Sequence, residues 1–162
     1  MKIIVAVDKN WGIGYKGDLL QYIPEDMRFF KEKTLNKVVI MGRETLDSLP
    51  NGEPLKDRVN IVLTRDKSFK KEGIVICNSI EETLKQIEKF KSDNVFIIGG
   101  ESIYKQFLNY CDELFITKIQ NEYKADKFFP NIDILESWEL ISESETKEYK
   151  GIKYSFCKYK NR

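Results

Sequence analysis

Asn94-Val95-Phe96-Ile97-Ile98-Gly99-Gly100 is the stretch whose reading decides the fold. From Val95 to Ile98 every side chain is apolar, with no alternation. A strand with one wet face would alternate, so an unbroken apolar run bounded by turn residues predicts a strand buried on both faces. The glycine pair stops it, and Glu101–Asn109 carries the next helix. The same grammar repeats outward. Upstream, Lys2–Val7, Lys37–Gly42, Arg58–Thr64 and Gly73–Cys77 read as strands. Between them lie helical segments from Glu25 to about Thr34, over Arg43–Leu49, and over Glu81–Lys91 with Ser79 as its cap. Downstream, Glu113–Ile119 is the sixth strand, and Ser137–Thr146 and Ile152–Tyr159 form an antiparallel pair across a Lys-Gly turn. This alternation predicts an α/β protein with a mostly parallel sheet covered on both faces. No linker, repeat or low-complexity segment interrupts it, so residues 1–162 read as a single domain. Ligands of such sheets bind beyond the carboxyl ends of the strands. The residues at those ends are therefore the ones to inspect.

Composition narrows the chemistry before any site is named. The chain is 41% hydrophobic and 33% charged, with a net charge of +1, so no global field points to nucleic acid or a membrane surface. No apolar run is long enough to span a bilayer. Met1–Val7 is too short and too soon charged for a signal peptide, and reads as a strand. Three widely spaced cysteines without a C-x-x-C imply a reducing cytoplasm. Histidine is absent. That absence removes Ser-His-Asp and Cys-His catalysis and every His-ligated metal, and no metal site is expected. Acid–base work falls to Asp, Glu, Lys, Tyr, Cys or water.

Ile23-Pro24-Glu25-Asp26-Met27-Arg28-Phe29-Phe30 opens the first helix. Pro24 suits the first helical position, and Glu25 and Asp26 suit the positive end of the dipole. Asp26 shares a face with Phe30, four residues on, and Met27 lies beside it. One acid thus sits among apolar side chains, where it must find polar partners or raise its pKa. An exposed first-turn acid that only tunes the dipole is the commoner outcome of such a stretch. The strand ends shift that balance. Gly42-Arg43-x-Thr45 sets a cation and a hydroxyl at a helix start. Gly99-Gly100 lets backbone approach a ligand closely, and Thr64-Arg65 adds a second cation. Alone, each reads as a tight turn or a solvated charge. Together, on one edge of one sheet, they describe an extended anionic ligand with separated phosphates. Neither G-x-G-x-x-G nor a P-loop is present. Arg58 opens a strand after a Pro/Gly-rich turn, where it is either an exposed edge charge or a bidentate carboxylate clamp. The loop from Asp8 to Tyr22, with Gly12, Gly14 and Gly17, is long enough to be functional.

These residues, in this order, resemble bacterial dihydrofolate reductase over essentially the whole chain. The carrying motifs are Ile13-Gly14, Ile23-Pro24-Glu25-Asp26-Met27-x-Phe29-Phe30, Val39-Ile40-Met41-Gly42-Arg43-x-Thr45, Asn60–Arg65, Ile97-Ile98-Gly99-Gly100-x-x-x-Tyr104 and Asp126-x-x-Phe129-Pro130. The resemblance implies an eight-stranded sheet, the last strand antiparallel, flanked by four helices. It implies reduction of 7,8-dihydrofolate by NADPH, with hydride passing from nicotinamide C4 to pterin C6 and water-mediated protonation of N5. Asp26 would hold the pterin 2-amino and N3 groups, and Thr117 would support Asp26 and a water. Ile4, Val5, Met27, Phe30 and Leu49 would line the substrate site, Leu55 would lie near the benzoyl group, and Arg58 would clamp the glutamate tail. Ala6 and Ile13 would meet the nicotinamide through backbone groups, with Tyr104 packed nearby. Arg43, Thr45, Gly99 and Gly100 would surround the pyrophosphate, with a cis peptide between the two glycines. Thr64 and Arg65 would hold the 2′-phosphate. Gly14, Leu19, Gly42, Glu44, Leu63, Ile98, Glu101 and Ser102 complete the implied cofactor set. Trp11–Gln21 would be a lid. The implied partners are dihydrofolate and antifolate inhibitors, to a monomeric, cytoplasmic enzyme. One departure stands out. Leu19-Leu20-Gln21 replaces the family's Leu-Pro-Trp, so Gln21 could supply a donor there but not an aromatic surface.

Two other readings stay open at the level of sequence. One is a related pterin or pyrimidine reductase, which Arg58 and the Asp26 motif disfavour. The other is a nucleotide-binding module without catalysis, supported only by the altered lid.

Overall fold

The computed structural model describes all residues, Met1–Arg162. In chain order the elements are β1 (Lys2–Val7), β2 (Gly12–Gly14), α1 (Pro24–Thr34), β3 (Val38–Gly42), α2 (Arg43–Ser48), β4 (Val59–Leu63), β5 (Ile74–Cys77) and α3 (Ile80–Ile87). They continue with β6 (Val95–Gly99), α4 (Glu101–Phe107), β7 (Glu113–Ile119), β8 (Lys127–Phe128), β9 (Trp138–Glu143), β10 (Lys147–Tyr149) and β11 (Ile152–Asn161).

The main sheet has the order β10-β11-β7-β1-β6-β3-β4-β5, with β9 also paired to β11. All pairs from β7 to β5 are parallel, and β11 runs antiparallel to β7, β9 and β10. Glu143 of β9 lies opposite Cys157, and Lys147 of β10 lies opposite Tyr154. The two segments therefore lie end to end along one edge of β11, and nine strands fill the eight expected positions. The break between them is at Ser144, whose N–H donates to the Phe156 carbonyl at 2.8 Å while its Oγ accepts the Phe156 N–H at 2.9 Å. A side-chain oxygen thus takes one rung of the ladder. The β10–β11 turn is Lys150-Gly151, both at positive φ, as a two-residue hairpin loop requires.

Strand alternation assigns each apolar side chain to one of two faces. Ile3, Val5, Ile40, Ile61, Ile97 and Ile116 join Ile103, Tyr104 and Phe107 of α4 and Ile87 of α3 in the main core. On the other face, Ile4, Phe96 and Phe115 pack under Phe29 and Phe30 of α1, and Val39, Met41 and Val62 pack under Leu46 of α2. Both faces are covered, which is why the parallel strands read as unbroken apolar runs. The helix ends differ from the expected ones. α3 stops at Ile87 rather than Lys91, and α4 at Phe107, where a 3₁₀ turn over Leu108–Tyr110 takes over. The ribbon of β2 with β8 was not expected from sequence. No helix is long and apolar enough to cross a membrane.

Candidate active site

Asp26 stands in the first turn of α1, with Pro24 at the helix start and Ile23, which is 1% exposed, anchoring the entry. It faces β7, where Thr117 is buried between Ala6 of β1 and Phe156 of β11 in register. The Thr117 hydroxyl donates to Asp26 Oδ1 at 2.6 Å. Burial raises the Asp26 pKa, and the Thr117 bond opposes the rise only in part. The side chain is half-buried and does not point into bulk solvent.

Two apolar clusters meet beside it. Ile4 and Phe30 belong to one, Leu49 and Leu55 to the other, and Ile98 packs against both. Met27 is half-buried on α1. Val5 points the other way, into the main core, so only its backbone could reach a ligand. Leu63 is likewise a core residue. At the end of the Leu49–Leu55 wall, Arg58 is half-buried, and its Nε is buried without a hydrogen-bond partner. Burial pushes the Arg58 pKa down, against the opposing charge of Asp57. Asn60, 2% exposed, fixes this corner. Its Oδ1 accepts the Leu55 N–H at 2.9 Å, and its Nδ2 donates to the carbonyls of Leu55 and Arg58 at 2.9 and 3.1 Å.

The peptide between Gly99 and Gly100 is cis. Gly99 has φ +126°, and a Cβ there would lie 3.3 Å from the Tyr104 hydroxyl oxygen. Tyr104 is buried, its hydroxyl donates to the Ile4 carbonyl at 2.9 Å, and burial raises its pKa. A Cβ on Gly100 would lie 3.5 Å from Thr45 Oγ1, so these two residues of the implied phosphate site are neighbours. Neither α2, entered from Gly42, nor α4, entered from Gly100, has a side-chain cap. Arg43 sits 3.7 Å above the Phe69 ring and pairs with Asp47 at 3.3 Å. Glu44 and Arg65 are exposed, while the Thr64 Oγ1 accepts the Asp66 N–H at 3.1 Å. Ser102 accepts from Gln106 at 2.7 Å. Glu101 accepts the Phe128 N–H at 2.6 Å and so ties β8 to the start of α4.

The glycine-rich loop is held at three points. Asp126 Oδ2 accepts the Lys16 N–H at 3.1 Å, and the Asp126 N–H donates to the Gly14 carbonyl at 2.9 Å. Asp8, a buried acid, accepts the N–H groups of Asn10, Gly12 and Tyr123 at 2.9, 2.8 and 3.0 Å. The Tyr123 hydroxyl in turn donates to Gln21 Oε1 at 3.0 Å, while Gln21 Nε2 donates to the Tyr22 carbonyl at 3.2 Å. Gln21, which the sequence offered as a substitute donor, thus fastens the loop through its oxygen and one of its two amide hydrogens. Ile13 is half-buried against the core and Leu19 is 65% exposed. Sequence reasoning missed Asp8, Asn60 and Tyr123. An acid at the end of the first strand, just before a glycine-rich loop, was the available signal for Asp8.

Fold and site together define a doubly wound α/β protein in which Asp26, at the start of the first helix, is held by Thr117 of the sheet next to apolar side chains of that helix. The sequence model described as dihydrofolate reductase matches residues 1–161, and this chain belongs to the dihydrofolate reductase family. It is 40% identical to the Sus scrofa dihydrofolate reductase, over 98% of this chain and 96% of that one. It is 39% identical to the Staphylococcus haemolyticus dihydrofolate reductase, over 94% of this chain and 86% of that one. Among solved structures, the Enterococcus faecalis dihydrofolate reductase complexed with NADP(H) and RAB-propyl superposes with a TM-score of 0.89. That structure is 31% identical and covers 99% of this chain and 95% of its own.

Proposed function

We propose that this chain reduces 7,8-dihydrofolate to 5,6,7,8-tetrahydrofolate with NADPH, as one monomeric, cytoplasmic domain over residues 1–162 that serves one-carbon metabolism. Family membership supports the reaction, and the Asp26–Thr117 pair carries the assignment of its centre. Asp26 hydrogen-bonds the pterin 2-amino and N3 groups, and Thr117 holds its carboxylate in place. A carboxylate in low dielectric favours the more cationic pterin of the transition state. It thereby assists protonation of N5, with water carrying the proton. Ile4, Phe30, Leu49 and Leu55 exclude other water from the ring and the benzoyl group. The unpartnered Arg58 Nε supports the glutamate-tail clamp, since a buried guanidinium donor without an acceptor is a rare and costly arrangement.

The cofactor residues fit a phosphate-bearing dinucleotide. The uncapped starts of α2 and α4, with Thr45 beside Gly100, offer backbone N–H groups to a pyrophosphate, and exposed Arg65 is free to meet a 2′-phosphate. Bound NADPH supplies the hydride, from nicotinamide C4 to pterin C6. Ala6 and Ile13 orient the carboxamide through backbone groups, and Tyr104 keeps the Ile4 carbonyl occupied and the floor of the site rigid. Antifolate inhibitors would fill the same cleft, competing with dihydrofolate; nucleic acid and membrane are not partners.

The test is dihydrofolate-dependent oxidation of NADPH, followed by absorbance, in wild type and Asp26→Asn. The variant should bind NADPH nearly as wild type does and lose most turnover at neutral pH. Part of the activity should return in acid, where substrate arrives already protonated. High activity with a flat pH response would overturn the role of Asp26.

A further inference from the structure

Asp26 is not the only first-turn carboxylate of α1 that receives a hydroxyl from the sheet. Its neighbour Glu25 accepts the Tyr154 hydroxyl at 2.8 Å. Tyr154 lies on β11, directly beside the strand that carries Thr117, and is 3% exposed. Two adjacent strands thus present two hydroxyls, Thr117 from β7 and Tyr154 from β11, to two consecutive carboxylates. The second contact is closed from β10, where Lys147 Nζ lies 3.7 Å from Glu25 Oε2. The remaining support of the turn is apolar. Phe29 stacks on Phe156 of β11 with ring centroids 4.7 Å apart. Ile23, the residue before the helix, supplies no side-chain cap. The polar side-chain contacts between the first turn of α1 and the main sheet are these hydroxyl–carboxylate bonds and the lysine.

We infer that Tyr154 is a positioning residue for catalysis: through Glu25 it fixes the first turn of α1 against β11, and so sets the depth at which Asp26 sits. The inference rests on the reductase reading of the cleft. It adds a residue outside the cleft whose effect passes only through the helix. Charged and titratable groups of several elements face Asp26 and Glu25. On α1 they are Glu25 and Arg28, on α4 Tyr104, on β11 Tyr154, and behind Glu25 the Lys147 ammonium of β10. Burial and the Glu25 carboxylate push Tyr154 up to about 12, so its hydroxyl stays a donor across the working pH range. If this bond is cut, the turn can lift from the sheet. The Asp26 carboxyl then gains water, and because burial is the larger influence on it, its titration midpoint falls.

Tyr154→Phe tests this in two independent ways. In the free protein, NMR titration of the Asp26 side-chain carbonyl should show a midpoint at least half a unit below wild type. In turnover, kcat should fall at least fivefold with a shifted pH profile, while KM for NADPH stays within twofold. Glu25→Gln keeps an acceptor for the hydroxyl but loses the Lys147 ion pair, so its kcat and Asp26 midpoint should fall between those of wild type and Tyr154→Phe. Glu25→Ala should reproduce Tyr154→Phe, and the double variant should be no worse than either single one. A Tyr154→Phe protein with a lower melting temperature but an unmoved Asp26 midpoint and wild-type kcat would overturn the inference. So would additive losses in the double variant. Failure of wild type to reduce dihydrofolate would instead overturn the reductase reading and leave the titration result standing.

Discussion

Asp26 is kept where its charge is disfavoured, and this has a consequence for stability as well as catalysis. Its folded-state pKa lies above the ordinary value of 3.8, so between the two the folded protein binds a proton that the unfolded chain has released. Stability therefore falls as pH rises from the ordinary value to the raised one. Above that, the protein carries a constant penalty of roughly 1.4 kcal/mol per unit of elevation. Asp26→Asn removes the penalty. The variant should melt at a higher temperature than wild type at pH 7, and the advantage should vanish in acid below the ordinary carboxylate range, which thermal denaturation at the two pH values checks. Arg58 is the cationic counterpart, a half-buried guanidinium held ready by Asn60. Arg58→Ala should weaken binding of substrates with a glutamate tail by roughly 2–5 kcal/mol, as expected when a buried charge pair loses one partner. Binding of pterins without the tail should change little. Titrating both ligand types into the variant separates a clamp from a general packing defect.

At the scale of elements, the hairpin of β10 and β11 is where sequence and structure can be compared most closely. The Lys-Gly turn was legible because two positive-φ positions admit few residues, and Gly151 at φ 81° occupies one of them. Gly151→Ala should destabilise the protein by about 1 kcal/mol, a left-handed residue without glycine's freedom. Lys150→Asn, at φ 49°, should move stability the other way; denaturant titration reads both. The Ser144 break was not legible, because the oxygen that replaces a ladder bond belongs to a serine like any other in a strand. The β2–β8 ribbon escaped for a different reason. Strands of three and two residues carry no periodicity to read. Helix α3 shows the opposite case. Ser79 was readable as its cap, and its Oγ accepts the Glu82 N–H at 3.0 Å while Glu82 reaches back to the Asn78 N–H at 2.8 Å.

Across the whole molecule, what was legible is what burial on two faces writes into a strand. The apolar runs at Val38–Met41, Ile61–Leu63 and Val95–Ile98 gave away the parallel sheet, and the sheet rule then pointed to the residues at its carboxyl edge. What sequence could not supply was partnership over distance. That Asp8 would add the Tyr123 N–H to its two local backbone donors, or that Gln21 would meet Tyr123, depends on segments more than 100 residues apart. The cysteines show the same divide. Their spacing argued against a disulfide framework, and all three are free and buried. Burial pushes Cys111 up to about 12 and Cys157 up to about 11, and raises Cys77 as well. A neutral-pH thiol reagent should label none of them in the native protein and all three after denaturation.

The outer rim formed by β9 and β10 offers unpaired backbone groups and the exposed side chains of Leu140 and Ile141, a combination that invites another strand. The stretch of β9 and β10 answers with Glu139, Glu143, Glu145 and Glu148 against Lys147 alone. Were two molecules to zip together along this rim, each would bring the same crowd of negative charge to the seam. Electrostatic repulsion thus guards an otherwise adhesive border, and the guard weakens in acid or concentrated salt.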